Sequence, residues 1–362
     1  MDLTRLINLQ DFEELSYKVM DPKLRDYVRA GVLDEVTLKR NRVAFEQITI
    51  KPRIFRDVSL RDQTTEVLGK NIDCPIMLTP AGGQRHAHPD GELAAARASE
   101  RAGTVYGVPT ISGYGLEEIA MCTAGRKWFQ IGQRHRETQE HFVRRAKAAG
   151  YEAIVLTADA PVPSRRESDL RNGFSIGCEP SWGSLKGHEE EMLSDPVLRK
   201  LTRGGNTKSD RLPEGRSWSP PAFVGLTWND IRWFRDLTDL PIIVKGVRSV
   251  EDAIMCVEAG FNGITVSNHG ARHLDGTKSA IELLPRITDA VGHRVEVFFD
   301  SGIRRGMDIF KALALGAKAI LIGRPIFWGL AVGGECGVSR VLDLLQTELD
   351  MVMAYVGTNK IS

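Results

Sequence analysis

Cysteine is sparse in this sequence and follows no spacing pattern. The five residues, Cys74, Cys122, Cys178, Cys256 and Cys336, are scattered, odd in number and include no CxxC pair. That excludes a disulfide framework and a zinc-type metal site, and it suits reduced thiols in a cytoplasmic setting. Long apolar runs are missing too: none approaches the roughly 20 residues that cross a bilayer. Met1–Asp11 mixes charges with short apolar stretches and lacks the continuous apolar core of a signal peptide. Neither sign of charge dominates. With 48 Lys+Arg against 47 Asp+Glu the net charge is +1, so nothing calls for nucleic acid or a membrane surface as partner. What remains is ordinary for a globular enzyme: 362 residues with 42% hydrophobic content, enough for a large core.

Eight short apolar runs recur along the chain: Pro75–Ala81, Thr104–Thr110, Lys127–Gly132, Ala153–Asp159, Pro241–Val247, Gly263–Gly270, Glu296–Ile303 and Ala319–Pro325. Runs of this length suit parallel strands buried on both faces. Between them lie amphipathic stretches such as Gly91–Gly103, Thr138–Gly150, Ser249–Gly260 and Met307–Gly316. Their Ala-Gly and Leu-Gly endings fit a glycine helix stop. Eight strand–helix units predict closure into a (β/α)8 TIM barrel of the α/β class, one domain over 1–362. Residues 1–70 form a preface in which Asp21–Ala30 reads as helix. Ile48–Leu60 reads as an extended segment that caps the barrel floor. Residues 160–226 are polar and rich in Gly, Pro and Ser, with Glu189–Glu191 and Arg203–Arg211 inside them. This insertion follows the fourth strand, on the face where barrel enzymes keep their active sites. It reads as a lid or substrate cover, the plainer alternative being an idle surface loop.

Polar residues gather at the carboxyl ends of the predicted strands. The fourth ends at Asp159, followed by Arg165 and Arg166; the fifth carries Lys245; the sixth runs into Ser267-Asn268-His269-Gly270-Ala271-Arg272. The seventh ends in Asp300-Ser301-Gly302-Ile303-Arg304-Arg305 and the eighth in Gly323-Arg324. Loops after the last two strands of a barrel often bind phosphate. Gly302 and Gly323 let an anion approach the backbone, and Arg304 and Arg324 add charge; the alternative is a glycine-rich turn with solvated arginines. His269 can take a proton near neutral pH, and Arg272 can grip a carboxylate in two places. Asp159 can hold His269 and stabilise its charged form. A lysine such as Lys245 on a buried strand needs an anion, either a ligand or a barrel carboxylate.

The segment SNHGARHLD at Ser267–Asp275 closely resembles the active-site signature of the FMN-dependent 2-hydroxy acid oxidase and dehydrogenase family, which includes glycolate oxidase, lactate oxidase and mandelate dehydrogenase. The resemblance covers nearly the whole chain in the family's order: Arg25–Phe45, Lys51–Ser59, Ala87–Glu92, Leu116–Ala120, Trp128–Gln130, Arg165–Asn172, PIIVKGV, DSGIRRGMDIFKALALGA and IGRP. It implies an FMN cofactor and a small 2-hydroxy acid substrate, with oxygen or a separate electron acceptor. It implies roles as well. His269 is the base, whether it removes a carbon-bound proton or accepts the hydroxyl proton while hydride moves to the flavin. Arg166, Arg272 and Tyr27 hold the substrate carboxylate, and Asp159 partners the histidine. Lys245 serves the flavin N1 edge, Gln130, Thr157 and Ser267 touch the flavin edge, and Pro80, Ala81 and Gly82 lie beneath the ring. Asp300 meets the ribityl chain; Gly302, Arg304, Gly323 and Arg324 hold the phosphate. Similar proteins are commonly tetramers, which implies a homo-oligomer.

The departures are local. A tyrosine that usually follows WFQ-Leu is Gly132, a serine or threonine on the second strand is Pro109, and Pro-Thr-Ala beneath the ring is Pro80-Ala81-Gly82. The signature glutamine is His273, and the second glycine of the seventh-strand turn is Ser301. Gly132 predicts a pocket for a substrate bulkier than lactate, and Gly82 an acceptor other than oxygen. Two further readings stay open: an FMN enzyme acting on a larger biosynthetic intermediate or a modified amino acid, and a non-catalytic FMN scaffold. The intact His269, Arg272, Arg166 and Asp159 set argues against the scaffold.

Overall fold

The computed structural model describes residues 2–132, 136–162, 164–174, 176, 183–185 and 226–361. Its centre is a closed barrel of eight parallel strands. These are β3 (Ile76–Leu78), β4 (Val105–Val108), β5 (Arg126–Ile131), β6 (Ala153–Thr157), β7 (Ile242–Val247), β8 (Gly263–Val266), β9 (Glu296–Asp300) and β10 (Ala319–Ile322). Each strand pairs with the next, and β10 closes against β3 through Ile320 beside Ile76. Each falls inside or beside one of the eight apolar runs. Most strands end short of their run, because the last residues of the run leave the ladder and build the loops at the C-terminal rim.

The expected helices are present as Gly91–Arg101, Arg136–Ala148, Val250–Glu258 and Gly306–Ala314. The glycines that stop them, Gly103, Gly150, Gly260 and Gly316, all have positive φ, which a Cβ would resist. Ser249 caps its helix by accepting from the Asp252 N–H at 3.0 Å. Near the C-terminus Arg324–Val356 is a helical run interrupted at Gly333 and Gly334. Among the described residues no helix is long and apolar enough to cross a membrane.

The preface departs from expectation. Asp21–Ala30 does contain a helix, α2 (Pro22–Arg29), but it is flanked by α1 (Leu9–Val19) and α3 (Val36–Glu46), which the sequence pattern did not single out. Ile48–Leu60 forms no strand and does not cap the floor. Ile48 packs against the core at its start, while Ile54, Phe55 and Leu60 are exposed. The floor is closed instead by a hairpin, β1 (Thr65–Val67) and β2 (Lys70–Ile72). Leu68 and Gly69 at its turn both have positive φ (50° and 74°), the geometry of a two-residue type I′ hairpin. The turn puts Val67 and Ile72 on one face, where they join Met77, Trp128, Phe298 and Leu321 in a core cluster inside the barrel. The amide of Leu68 also donates to the Glu296 carboxylate at the start of β9. Of the insertion at 160–226, a short helix Glu167–Asn172 follows β6; most of the rest, including the proposed cover, lies outside the described residues.

Candidate active site

Twelve of the residues singled out from the sequence line one cavity at the C-terminal rim: Tyr27, Pro80, Ala81, Gly82, Lys245, His269, Arg272, Asp300, Gly302, Arg304, Gly323 and Arg324. The space between them is about 790 Å³ including its open mouth.

Lys245 reaches this cavity from β7, where the register slips between Lys245 and Val247. The slip centres on Gly246, whose φ is 108°. A Cβ there would lie 2.5 Å from that of Asp159, so glycine lets β6 and β7 bring their terminal side chains together. The Lys245 ammonium is buried 3.1 Å from Asp300 Oδ2 and donates to Ser267 Oγ at 3.1 Å. Burial alone would lower its proton affinity; the Asp300 and Asp159 carboxylates outweigh that and hold it above the ordinary lysine value.

His269 follows β8 in a left-handed turn. His269, Gly270 and Ala271 all have φ near 60°, a conformation that costs non-glycine residues energy and is held here by its surroundings. The Asn268 side chain exchanges two hydrogen bonds with Asn41 of α3, at 2.7 and 3.0 Å, both groups buried. Ser267 Oγ accepts from the His269 N–H, and the Ala271 carbonyl accepts from Val32. The imidazole Nδ1 then lies 3.0 Å from Asp159 Oδ1, leaving Nε2 for the cavity. Burial pushes Asp159 up, but His269, Lys245 and His273 together hold its carboxyl well below the usual range. Burial also pushes His269 below the ordinary imidazole value, with Asp159 working against the shift and Lys245 with it. The resting pair is therefore a neutral imidazole on a carboxylate.

The arginines form a second group. Arg272 Nη1 donates to the Tyr27 and Ala30 carbonyls, and Arg324 donates to those of Val28, Ala30 and Gly270. The two guanidiniums thus satisfy carbonyls at the C-terminal end of α2. Arg304 lies over the Trp328 ring and donates to the Ile303 carbonyl. Among the described residues none of the three meets a carboxylate within 4.0 Å. Burial lowers the proton affinity of all three, and Arg272 and Arg304 lower that of Arg324 further. Three half-buried cations with no carboxylate within 4.0 Å among the described residues make a site for anions. Arg272 Nη2 is buried with no partner, and so is the Thr79 hydroxyl on the cavity wall.

Arg166 stands beside the cavity and not in its lining. Its Nε donates to Asp169 and its Nη1 to Ser164, each at 2.6 Å. Its guanidinium lies 5.0 Å from the Tyr27 ring centroid, and that of Arg272 lies 4.4 Å from the same ring. Gln130 and Thr157 bond to each other at 2.9 Å on neighbouring strands, outside the lining. Gly132 is buried just past β5. Asn41, Asn268, Thr79 and Phe327 belong to the site or its support and were not read from the sequence; only Asn268, inside the SNHGARHLD segment, carried a signal.

A family model for FMN-dependent dehydrogenases matches residues 16–362. The chain belongs to this family. It is 40% identical over 358 residues to glycolate oxidase 3 of Oryza sativa, covering 99% of this chain and 94% of that one. It is 41% identical over 365 residues to the L-lactate oxidase of a Nostoc species, covering 98% and 95%. A crystal structure of mandelate oxidase superposes with a TM-score of 0.85 at 38% identity, covering 98% of this chain and 96% of that one. The chain is an oxidoreductase and FMN its cofactor, as the SNHGARHLD resemblance implied. The cavity suits that group on its own evidence. Uncompensated Arg304 and Arg324 beside Gly302 and Gly323 fit a phosphate, the partnerless Thr79 hydroxyl fits a polar edge, and buried Lys245 fits a ring that gains negative charge.

Proposed function

We propose that this protein oxidises a 2-hydroxy acid to the 2-oxo acid. The observation that carries the reading is the meeting at one cavity of His269, held from behind by Asp159, with Arg272, whose buried Nη2 has no partner among the described residues. A carboxylate satisfies that nitrogen and brings the adjacent carbinol toward His269 Nε2. Arg166 and Tyr27 complete the carboxylate's surroundings: the two guanidiniums over the Tyr27 ring concentrate positive charge there. FMN, when bound, supplies the two-electron oxidising power. In the oxidation the C–H and O–H bonds of the carbinol break and a carbonyl forms. One proton goes to His269 Nε2, and FMN, when bound, would take up the two electrons and the other hydrogen. Asp159 stabilises the imidazolium that results.

Gly132 favours a substrate with a side chain larger than that of lactate, because no side chain at that buried position competes for space. The acceptor that reoxidises the cofactor is oxygen or a separate carrier, and Gly82 in the cavity wall beside Ala81 favours a carrier. The names of the relatives quoted above point to glycolate, lactate and mandelate as the chemical class to try.

Anaerobic mixing of the yellow holoprotein with glycolate, lactate, mandelate and indolelactate tests this. Bleaching of the flavin band by at least one acid, fastest with a bulky one, is expected. Readmitted air restores the colour slowly if oxygen is a poor acceptor. A yellow protein that no 2-hydroxy acid bleaches would overturn the reading.

A further inference from the structure

A second imidazole stands against the base. The ring of His273 lies 4.3 Å from that of His269, centroid to centroid, at an interplanar angle of 87°. That geometry sets the edge of one ring against the face of the other. His273 is otherwise poorly suited to be there. Its Nδ1 is buried and finds no hydrogen-bond partner among the described residues, an arrangement that a merely space-filling side chain would avoid, since an unpaired buried nitrogen is destabilising. The titratable groups around it are His269, Asp159, Arg166 and Arg272, and all but Asp159 oppose a proton on His273. Burial acts in the same direction and comes first among the causes, so the ring is held neutral far below the ordinary imidazole range. Among the described residues no hydrogen bond fixes this side chain; the ring contact with His269 is what it makes.

The base of this chain gains from such a contact. A hydrogen bond to Asp159 holds His269 at one nitrogen only, and a ring held at one edge can still tilt about that bond. Its backbone, at φ 56°, stands in the left-handed region, so the side chain depends on its neighbours for orientation. We infer that His273 is a positioning residue, whose ring braces His269 so that Nε2 faces the bound carbinol while Nδ1 stays on Asp159. A glutamine, which the family signature carries here, offers no flat ring for this contact. Nothing in the bracing requires His273 to touch the substrate, and it is absent from the cavity lining.

This inference rests on His269 being the base, and its test is run on holoprotein that a 2-hydroxy acid has been found to bleach. His273→Phe keeps a ring and removes both nitrogens; His273→Leu keeps bulk without a ring; His273→Ala removes both. Single-turnover bleaching is measured against substrate concentration. The expected result is a loss of about tenfold or more in the limiting rate for His273→Ala and His273→Leu, with the half-saturating concentration nearly unchanged, and recovery to within about threefold of the wild type in His273→Phe. The flavin spectrum and melting temperature show which variants are folded and loaded, and the Leu–Phe comparison stands if the Ala variant is not. Equal rates in the Leu and Phe variants, or a loss confined to the half-saturating concentration, would overturn the bracing role while leaving His269 as the base. A wild type that no acid bleaches would instead remove the proposed function itself.

Discussion

His269 must be neutral before the reaction and charged after it, and its surroundings serve both states. Burial keeps the resting ring neutral, and the Asp159 carboxylate lies 3.0 Å away to receive the charge when it forms. Because the folded-state proton affinity lies below the ordinary value near 6.5, kcat/KM is expected to be on its plateau at neutral pH. It falls only as the pH drops through that lowered value. Asp159→Asn removes the group that raises His269's affinity, so the acid limb moves to still lower pH. The imidazolium loses its counter-charge, and kcat falls by about two to four decades. A pH profile of both proteins checks the two effects; an acid limb that moves upward in the variant contradicts the assignment. Arg272→Lys is the matching test of the carboxylate grip. An ammonium cannot hold the Tyr27 and Ala30 carbonyls and also present a free planar donor. A loss of roughly 1.5–3 kcal/mol, one to two decades in kcat/KM, is expected, mainly through KM.

At the level of elements, what was legible is what local pattern controls. Each of the eight strands is an apolar run such as PIIVKGV, and helix ends such as Gly150 and Gly260 are written in residues that accept positive φ. The strand tops could be read as a set of polar residues, and Lys245, His269, Arg272, Asp300, Arg304 and Arg324 do meet in one cavity. How they meet could not be read. The left-handed turn at His269–Ala271 has only one glycine, and it is held by Asn41, more than two hundred positions away in the sequence. The carbonyl pairing of Arg272 and Arg324 depends likewise on where α2 ends. The helix Ala280–Val291 offers a stability test of a device that is local. Glu282 accepts from the Ser279 N–H and hydroxyl and pairs with Arg40. Arg40 first, together with the Ser279 bonds, lowers its carboxyl to about 2. A depressed carboxylate contributes stability above its unfolded value, about 4.3, and loses that contribution as the pH falls toward the folded value. Glu282→Ala is therefore expected to cost about 1 kcal/mol at neutral pH, the usual weight of a helix cap on a half-buried side chain. The gap in urea midpoint between variant and wild type should narrow as the pH falls below about 4.3.

Across the whole molecule the barrel divides its two ends by task. The C-terminal rim carries half-buried cations, a strained turn and, among the described residues, partnerless polar atoms. The N-terminal end carries the compensating packing. There the hairpin closes the barrel with Val67 and Ile72, both nearly inaccessible, against Trp128 and Phe298, whose rings meet edge to face at 5.4 Å. The sequence assigned this task to Ile48–Leu60, which looks extended. It passed over Thr65–Ile72, which is short, carries charge on its outer face and turns at Leu68, a residue unusual at positive φ. The separation of ends makes a prediction about the molecule as a unit. Ile72→Ala opens a cavity in the floor and should cost about 2–5 kcal/mol, seen as a clear drop in urea midpoint or melting temperature. The active site lies at the far end of the strands, so the flavin spectrum, KM and the acid limb of the pH profile should not move at a temperature where the variant is folded. If KM or the limb shifts together with the stability, the floor and the rim are mechanically coupled through the barrel wall, and the hairpin is then part of what holds Lys245 and Asp159 in register.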